Sequence, residues 1–146
     1  MTLPDDEKQI RELVEARAAA LRAKDPRGMT APYAEQAVVF DLAPPLRQSR
    51  DARDPGPVER WLSTFAGPLD YEIRDLDVSV GGDVAFCTSL NRLHATPAGG
   101  SESFDLWHRV TLGLQKIGGA RHIVHEHESV PFEMDGSGRA SLSWKP

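Results

Sequence analysis

Two histidines and a serine alternate near the end of the chain, in the segment Ile123-Val-His-Glu-His-Glu-Ser129. Alternate residues of an extended strand share a face. The predicted strand therefore points one set of residues the same way: Ile123, His125, His127 and Ser129. The opposite face would carry Glu126 and Glu128, which suits water or a subunit interface. Imidazole suits acid–base work in a pocket because its unperturbed pKa of ~6.5 lies near working pH.

Other interpretations of the histidine pair stay open. The two side chains could be half-exposed surface groups, or core groups satisfied by hydrogen bonds. His-x-His with a carboxylate could also be a metal site with two histidines and one carboxylate. No spacing motif supplies the third ligand, so we assign no metal. A Gly-rich phosphate loop and a Cys-x-x-Cys pair are also missing from the sequence, and we expect no cofactor.

The neighbouring strand is expected to run through Asp105–Thr111, joined to the histidine strand by a turn at Gly118-Gly119. A two-residue turn would place Leu112 opposite His125. We favour a three-residue loop, because it gathers polar and aromatic groups beside the histidines. That register pairs Thr111 with His125, Arg109 with His127 and Trp107 with Ser129. In this register four further residues are predicted to line the pocket beside the histidines: Trp107, Arg109, Thr111 and Ser129.

Asp41, Arg17 and Trp61 complete the candidate site. Asp41 ends the apolar run Val38-Val39-Phe40, and partial desolvation there would raise its pKa and make it a better base. It could instead be an ordinary strand-end aspartate that caps the next turn. Arg17 lies on an apolar helix stripe, where it either snorkels to the rim or pairs with a buried carboxylate. Trp61 is a ligand-binding candidate on a later helix.

The elements that position these residues follow an α+β pattern. Ile10, Leu13, Val14, Ala18 and Leu21 recur at helical spacing, and Asp25-Pro26 indicates a second, short helix. A strand is predicted at 37–42 and a third helix at 58–65. Four strand-like stretches follow near 69–80, 83–95, 102–116 and 121–131, separated by hairpin signals. The sequence thus predicts one domain over 1–132, with helices on one face of a mostly antiparallel sheet, and a tail at 133–146.

Bulk composition excludes several classes of protein. The 146 residues are 40% hydrophobic, which is enough to bury a core. The net charge of −5 and the scattered basic residues argue against nucleic acid or an anionic membrane as partner. The single cysteine, Cys87, allows no intrachain disulfide. Neither a signal peptide nor an apolar membrane-spanning stretch is seen, so we expect a soluble, cytoplasmic protein.

Two segments carry a resemblance to a known family. Ala19–Asp25 with Tyr33–Asp41 is similar to the opening of ketosteroid isomerases, and Ile123–Pro131 with Trp107-x-Arg109-x-Thr111 resembles SnoaL-like proteins. Over roughly residues 7–132 the chain resembles the nuclear-transport-factor-2-like superfamily, and more narrowly the SnoaL-like, ketosteroid-isomerase-like and SgcJ-type proteins. The resemblance implies a cone-shaped, cystatin-like roll: a strongly curved sheet encloses an apolar pocket, packed by a long first helix and two shorter ones. It also implies a homodimer formed through the sheet.

The resemblance places Asp41 at the position of the isomerase general base. The tyrosine that stabilises the oxyanion in those enzymes is replaced by Arg17, and the region 109–113 has no carboxylate. We therefore do not expect steroid isomerase activity. Two hypotheses remain: proton transfer on a small apolar carbonyl compound, of the isomerase or cyclase type and without a cofactor, or a non-catalytic domain that binds a small ligand or mediates dimerisation.

Overall fold

A computed structural model describes residues 3–100 and 102–146 of the chain. The chain has three helices among the described residues: α1 (Leu3–Arg22) and α2 (Pro26–Thr30) precede the first strand, and α3 (Pro55–Leu62) lies between the first and the second strand. The five strands are β1 (Tyr33–Phe40), β2 (Phe65–Gly81), β3 (Val84–Pro97), β4 (Phe104–Ile117) and β5 (Ala120–Ser129). The α+β prediction is confirmed, and each predicted element is present with ends shifted by a few residues.

The strands form one curved, unclosed sheet in the order β1-β5-β4-β3-β2. The pairs β2–β3, β3–β4 and β4–β5 are antiparallel, because each pair is joined by a short turn. β1 lies parallel to β5 at the edge, which requires the long connection through α3 and three further strands. The concave side of the sheet is called the inner face below, and the convex side the outer face.

Helix α1 covers the inner face with its predicted apolar stripe. Ile10 is fully buried, and Val14, Ala18 and Leu21 are also buried. Ile10 and Val14 pack with Leu114 and Ile123 of the sheet in the main core cluster. A second cluster, built around Leu62, Leu69 and Leu93, lies under α3. The space between the two clusters is where a cavity can form.

Short capping motifs hold the two small helices. Asp25 and Asp54 are the N-caps of α2 and α3, and their carboxylates accept hydrogen bonds from Gly28 N at 3.1 Å and Gly56 N at 2.9 Å. A proline follows each cap at the first helical position, where its missing N–H costs nothing. The fixed start of α3 places Trp61 against Phe65 in an edge-on contact with ring centroids 5.1 Å apart.

The turn between β4 and β5 differs from the favoured prediction. Ile117 pairs with Ala120, so the loop has two residues, and Gly118 and Gly119 take positive φ values of 60° and 84°. This is the geometry of a tight hairpin turn that glycine adopts without strain. The predicted three-residue loop is therefore wrong.

A β-bulge then changes the register within β5. Leu114 pairs with Ile123, but the next pair is Gly113 with His125, so Val124 is an extra residue. Beyond the bulge Thr111 pairs with His127 and Arg109 with Ser129. The predicted pairs of Thr111 with His125, Arg109 with His127 and Trp107 with Ser129 are consequently each displaced by two residues.

The segment after β5 begins with a turn. Phe132 and Ala140 form an isolated antiparallel bridge, and Ser141 N donates to Pro131 O at 2.7 Å.

Among the described residues, no helix is long and apolar enough to cross a membrane.

Candidate functional site

A cavity of about 540 Å³ lies between the inner face of the sheet, α1, α3 and the loop after β1. This volume falls in the roughly 300–1,000 Å³ range of small-molecule sites. Much of its wall is apolar, with Leu21, Met29 and Leu93 among the lining residues. Arg17, Asp41 and Trp61 also line it. These three candidates therefore lie where a ligand could touch them, and their roles stay predictions.

The other six candidates do not line this cavity. His125, His127, Trp107, Arg109, Thr111 and Ser129 lie on the outer face. For the three residues of β5 among them, His125, His127 and Ser129, the cause is the bulge at Val124. Ile123 points into the core and is fully buried, but the extra residue inverts the alternation after it. The prediction that the two histidines share a face with Ile123 is therefore wrong.

The outer-face histidines have local partners. His125 Nδ1 lies 2.7 Å from Val38 O, and the Phe40 ring packs edge-on against His125 and His127 with centroids 5.1 Å and 5.3 Å away. Arg109 Nε donates to Ser129 Oγ at 3.0 Å. Within residues 3–100 and 102–146, no group of three histidine, cysteine or acidic side chains is placed to hold a metal ion.

A buried ion pair forms one wall of the cavity. Arg17 Nη2 donates to Glu126 Oε1 at 2.9 Å, and the two side chains are only 18% and 10% exposed. The same guanidinium nitrogen donates to the Tyr33 hydroxyl at 2.8 Å, and that hydroxyl donates to Glu126 Oε2 at 2.7 Å. Burial opposes the charge of Arg17, but Tyr33 and Glu126 outweigh burial and raise its pKa. Arg17 therefore stays charged and keeps its ion pair with Glu126.

The second feature of this wall is a carboxyl pair, Asp41 and Glu128. Glu128 is the next inward residue on β5 after Glu126, and its side chain hydrogen-bonds to Asp41. Burial raises the pKa of Glu128 well above its ordinary value, and the charges of Glu126 and Asp41 add to this effect. Glu128 is consequently a neutral acid at a pH at which isolated glutamates are ionised. Asp41 Oδ1 also accepts a hydrogen bond from Leu42 N at 2.7 Å.

The raised pKa of Glu128 makes stability depend on pH. The folded chain keeps this proton in a range where the unfolded chain, with a pKa near 4.5, has released it. The stability contribution is thus full below pH ~4.5 and declines toward the raised pKa by at most about 1.4 kcal/mol per pH unit. We expect Glu128→Gln to remove this decline. The free energy of unfolding of the variant, relative to that of the wild type, should therefore increase with pH. Urea denaturation at several pH values from 5 to 8 measures it. Glu102→Gln, at an exposed position, is the control, and parallel curves for Glu128→Gln and wild type would contradict the assignment.

Sequence reasoning missed several residues of the cavity wall, namely Tyr33, Tyr71, Ser89, Asn91, His108, Glu126 and Glu128. One signal could have found Glu126. An arginine on an apolar helix stripe needs a buried carboxylate, and the two glutamates of β5 are spaced to face the helix together. Nothing in the sequence marks the bulge that turns them inward, because Val124 is an ordinary strand residue.

Comparisons with known proteins identify the family and the fold. The model of the SnoaL-like domain family matches residues 10–133. A nuclear-transport-factor-2-like protein of unknown function from Pseudomonas putida is 31% identical, with a TM-score of 0.86 and 100% of each chain covered. A protein from Novosphingobium aromaticivorans, named provisionally as a scytalone dehydratase, is 14% identical, with a TM-score of 0.76 and 94% and 91% of the two chains covered.

An uncharacterised protein with a cystatin-like fold from Caulobacter vibrioides is 13% identical, with a TM-score of 0.70 and 84% and 87% of the two chains covered. The comparison with curated proteins finds no significant match. The family match covers most of the chain, and the 31% identical structure covers all of it. The chain belongs to the SnoaL-like family within the nuclear-transport-factor-2-like superfamily.

Proposed function

We propose that the cavity catalyses proton transfer on a small, mostly apolar carbonyl compound. The observation that carries this proposal is the hydrogen-bonded pair of Asp41 and Glu128 in the wall of an otherwise largely apolar cavity. Two neighbouring carboxyl groups with one proton between them supply a base and an acid at the same pH. Metal and cofactor are not needed for this chemistry.

The two carboxyl groups take different roles. Asp41, as the carboxylate, removes a proton from the carbon next to the carbonyl group. Glu128, as the acid, donates a hydrogen bond to the carbonyl oxygen on which negative charge develops. Return of the proton from Asp41 to another carbon gives an isomer. The same two groups could remove water from a hydroxylated substrate, if Glu128 protonates the leaving hydroxyl, and one structure of the same fold is provisionally named a dehydratase.

The surrounding groups support these roles. Arg17 and Tyr33 both donate to Glu126, so the third carboxyl group of the wall is engaged by partners of its own. The negative charge of Glu126 also helps to keep Glu128 protonated. Apolar side chains such as Leu42 and Val58 line the same cavity, and an apolar surrounding strengthens the electrostatic effect of each donor.

Exchange of carbon-bound hydrogen in D₂O tests the proposal without knowledge of the natural substrate. The probes are 2-tetralone and 1-indanone, and proton NMR follows loss of the signal from the carbon next to the carbonyl. We expect an exchange rate proportional to protein concentration. The double variant Asp41→Asn/Glu128→Gln, which keeps the size of both side chains, is the control. If a ketone binds saturably but exchanges no faster than with the double variant, catalysis is excluded and the non-catalytic binding domain is favoured.

We further propose that the chain forms a homodimer through the outer face of the sheet. This face carries aromatic side chains on three strands, including Phe40 of β1, Phe86 of β3 and Trp107 of β4, and Phe86 is 53% exposed. Covering them with a second copy removes apolar surface from water.

Light scattering is expected to give twice the chain mass for the wild type and the chain mass for Phe86→Glu. Leu46→Glu, at a loop residue that is 97% exposed, should remain dimeric. A monomeric wild type at tens of micromolar would contradict the dimer.

A further inference from the structure

A second polar cluster lines the cavity on β2, β3 and β4, whereas Glu128 belongs to β5 and Asp41 to the loop after β1. Its members are Tyr71 of β2, Ser89 and Asn91 of β3, and His108 of β4, and all four line the cavity. Asn91 and His108 are direct partners across β3 and β4. The row that contains Ser89 continues through Val110 to Glu128 on β5. Two strand spacings separate Ser89 from Glu128, a distance of roughly 10 Å.

The hydrogen bonds in this cluster run in one direction. Ser89 Oγ donates to Asn91 Oδ1 at 2.7 Å, and Asn91 Nδ2 donates to the Tyr71 hydroxyl oxygen at 2.8 Å. The Tyr71 oxygen is thus already an acceptor, and its own proton must point elsewhere. His108 Nε2 lies 3.5 Å away, well beyond the ~2.7–2.8 Å of a good hydroxyl hydrogen bond. The chain of donors therefore ends in a phenol whose proton is only weakly engaged.

The cluster is neutral at ordinary pH. Burial raises the pKa of Tyr71, so the phenol remains a donor. Burial lowers the pKa of His108, which keeps the imidazole neutral. His108 is only 6% exposed, and its Nδ1 has no hydrogen-bond partner among the described residues. A neutral, fixed donor in an apolar surrounding suits an uncharged oxygen or one that gains partial negative charge.

We propose that the cluster of Tyr71, Ser89, Asn91 and His108 binds a carbonyl or phenolic oxygen of the substrate. Tyr71 donates the hydrogen bond, and Asn91, supported by Ser89, orients the phenol. This inference rests on the proposed function and names its substrate class. The substrate is a fused-ring compound, or another cyclic compound of similar length, with an oxygen at each end. One end meets Asp41 and Glu128, the other meets Tyr71, and the apolar ring lies over Val110.

Binding of two probes tests this subsite independently of turnover. 2-Naphthol and naphthalene share an apolar shape and differ by one hydroxyl group, and their fluorescence gives a dissociation constant for each. We expect the wild type to bind 2-naphthol about 3- to 10-fold more tightly than naphthalene, as one hydrogen bond predicts. Tyr71→Phe should bring that ratio to about one and leave naphthalene affinity unchanged, which also shows that the variant is folded.

Tyr33→Phe is the matched control, because the Tyr33 phenol lines the same cavity but already donates to Glu126. Its ratio should stay at the wild-type value. Asn91→Ala gives a second route, since Tyr71 then loses the donor that orients it, and the ratio should fall at least 2-fold. If the ratio of the two dissociation constants is unchanged in both Tyr71→Phe and Asn91→Ala, the inference is overturned. A ratio that falls only in Glu128→Gln also overturns it, and so does a wild type that does not bind 2-naphthol.

The binding test of this subsite and the exchange test of the proposed function can give different answers. If the ratio depends on Tyr71 but the wild type exchanges no ketone hydrogen, the subsite stands and the catalytic proposal falls. If ketone hydrogen exchange depends on Asp41 but the ratio of the two dissociation constants is unchanged in Tyr71→Phe, the catalytic proposal stands and the subsite is contradicted.

Discussion

Replacement of Asp41 with asparagine is expected to lower the rate of ketone hydrogen exchange by about 10²–10⁴-fold, the usual contribution of a positioned base. Asparagine keeps the shape and the oxygen that accepts the hydrogen bond from Leu42 N, but it cannot take up a proton. The loop should keep its position, so the dissociation constant of 2-tetralone should change little. Exchange at saturating ketone and an NMR titration separate the two effects. Asp77→Asn, at an exposed residue of β2, should exchange at the wild-type rate.

The pH dependence distinguishes the two carboxyl groups. Because the pKa of Glu128 is raised, the wild type keeps its acid above the pH at which isolated glutamates ionise, and it loses rate as the pH passes that raised value. Glu128→Gln can still donate a hydrogen bond through its amide, so we expect a smaller loss than for Asp41→Asn and no such decline at high pH. Equal rates for Asp41→Asn and wild type, or the same alkaline decline in Glu128→Gln, would contradict these roles.

Replacement of Arg17 with methionine should destabilise the fold by about 3–5 kcal/mol at pH 7, since it leaves a buried carboxylate without its cation. Glu126 is 10% exposed at its side chain and would keep only the hydrogen bond from Tyr33. Urea denaturation at pH 7 measures the loss.

Two further variants show whether this loss comes from the lone charge. The double variant Arg17→Met/Glu126→Gln removes both charges and should recover much of the stability. Lys8→Met, on the same helix, breaks an ion pair with Glu12 whose side chains are 76% and 67% exposed, and should cost less than about 1 kcal/mol. A double variant as unstable as Arg17→Met would show that packing of the arginine stem, rather than charge, is responsible.

Element order could be predicted because it is encoded locally. The helical stripe through Ile10 and Leu21, the cap Asp25 and the glycines of the hairpin turns act within a few residues. The place of Arg17 in the cavity wall follows from the same stripe, seven residues after Ile10.

The inner lining of β5 could not be predicted in this way. Period-two alternation assigns faces correctly only while the strand is regular, and one extra residue at Val124 reverses every assignment after it. The bulge is decided by tertiary packing: Ile123 fits the core and Glu126 meets Arg17, and both cannot face inward without an additional residue between them. The tyrosine, asparagine and histidine of the second cluster come from three strands, so their proximity appears only once the sheet order is known.

The bulge also sets which kind of side chain this cavity offers. While Val124 stands unpaired in the ladder, carboxyl groups face the cavity and imidazoles face outward; the same sequence in a regular strand without the bulge would present them the other way round. Two acid–base chemistries are therefore encoded in one short segment, and a one-residue shift of register separates them. Divergence within this fold can thus proceed by gain or loss of a bulge, with no cavity-lining residue replaced.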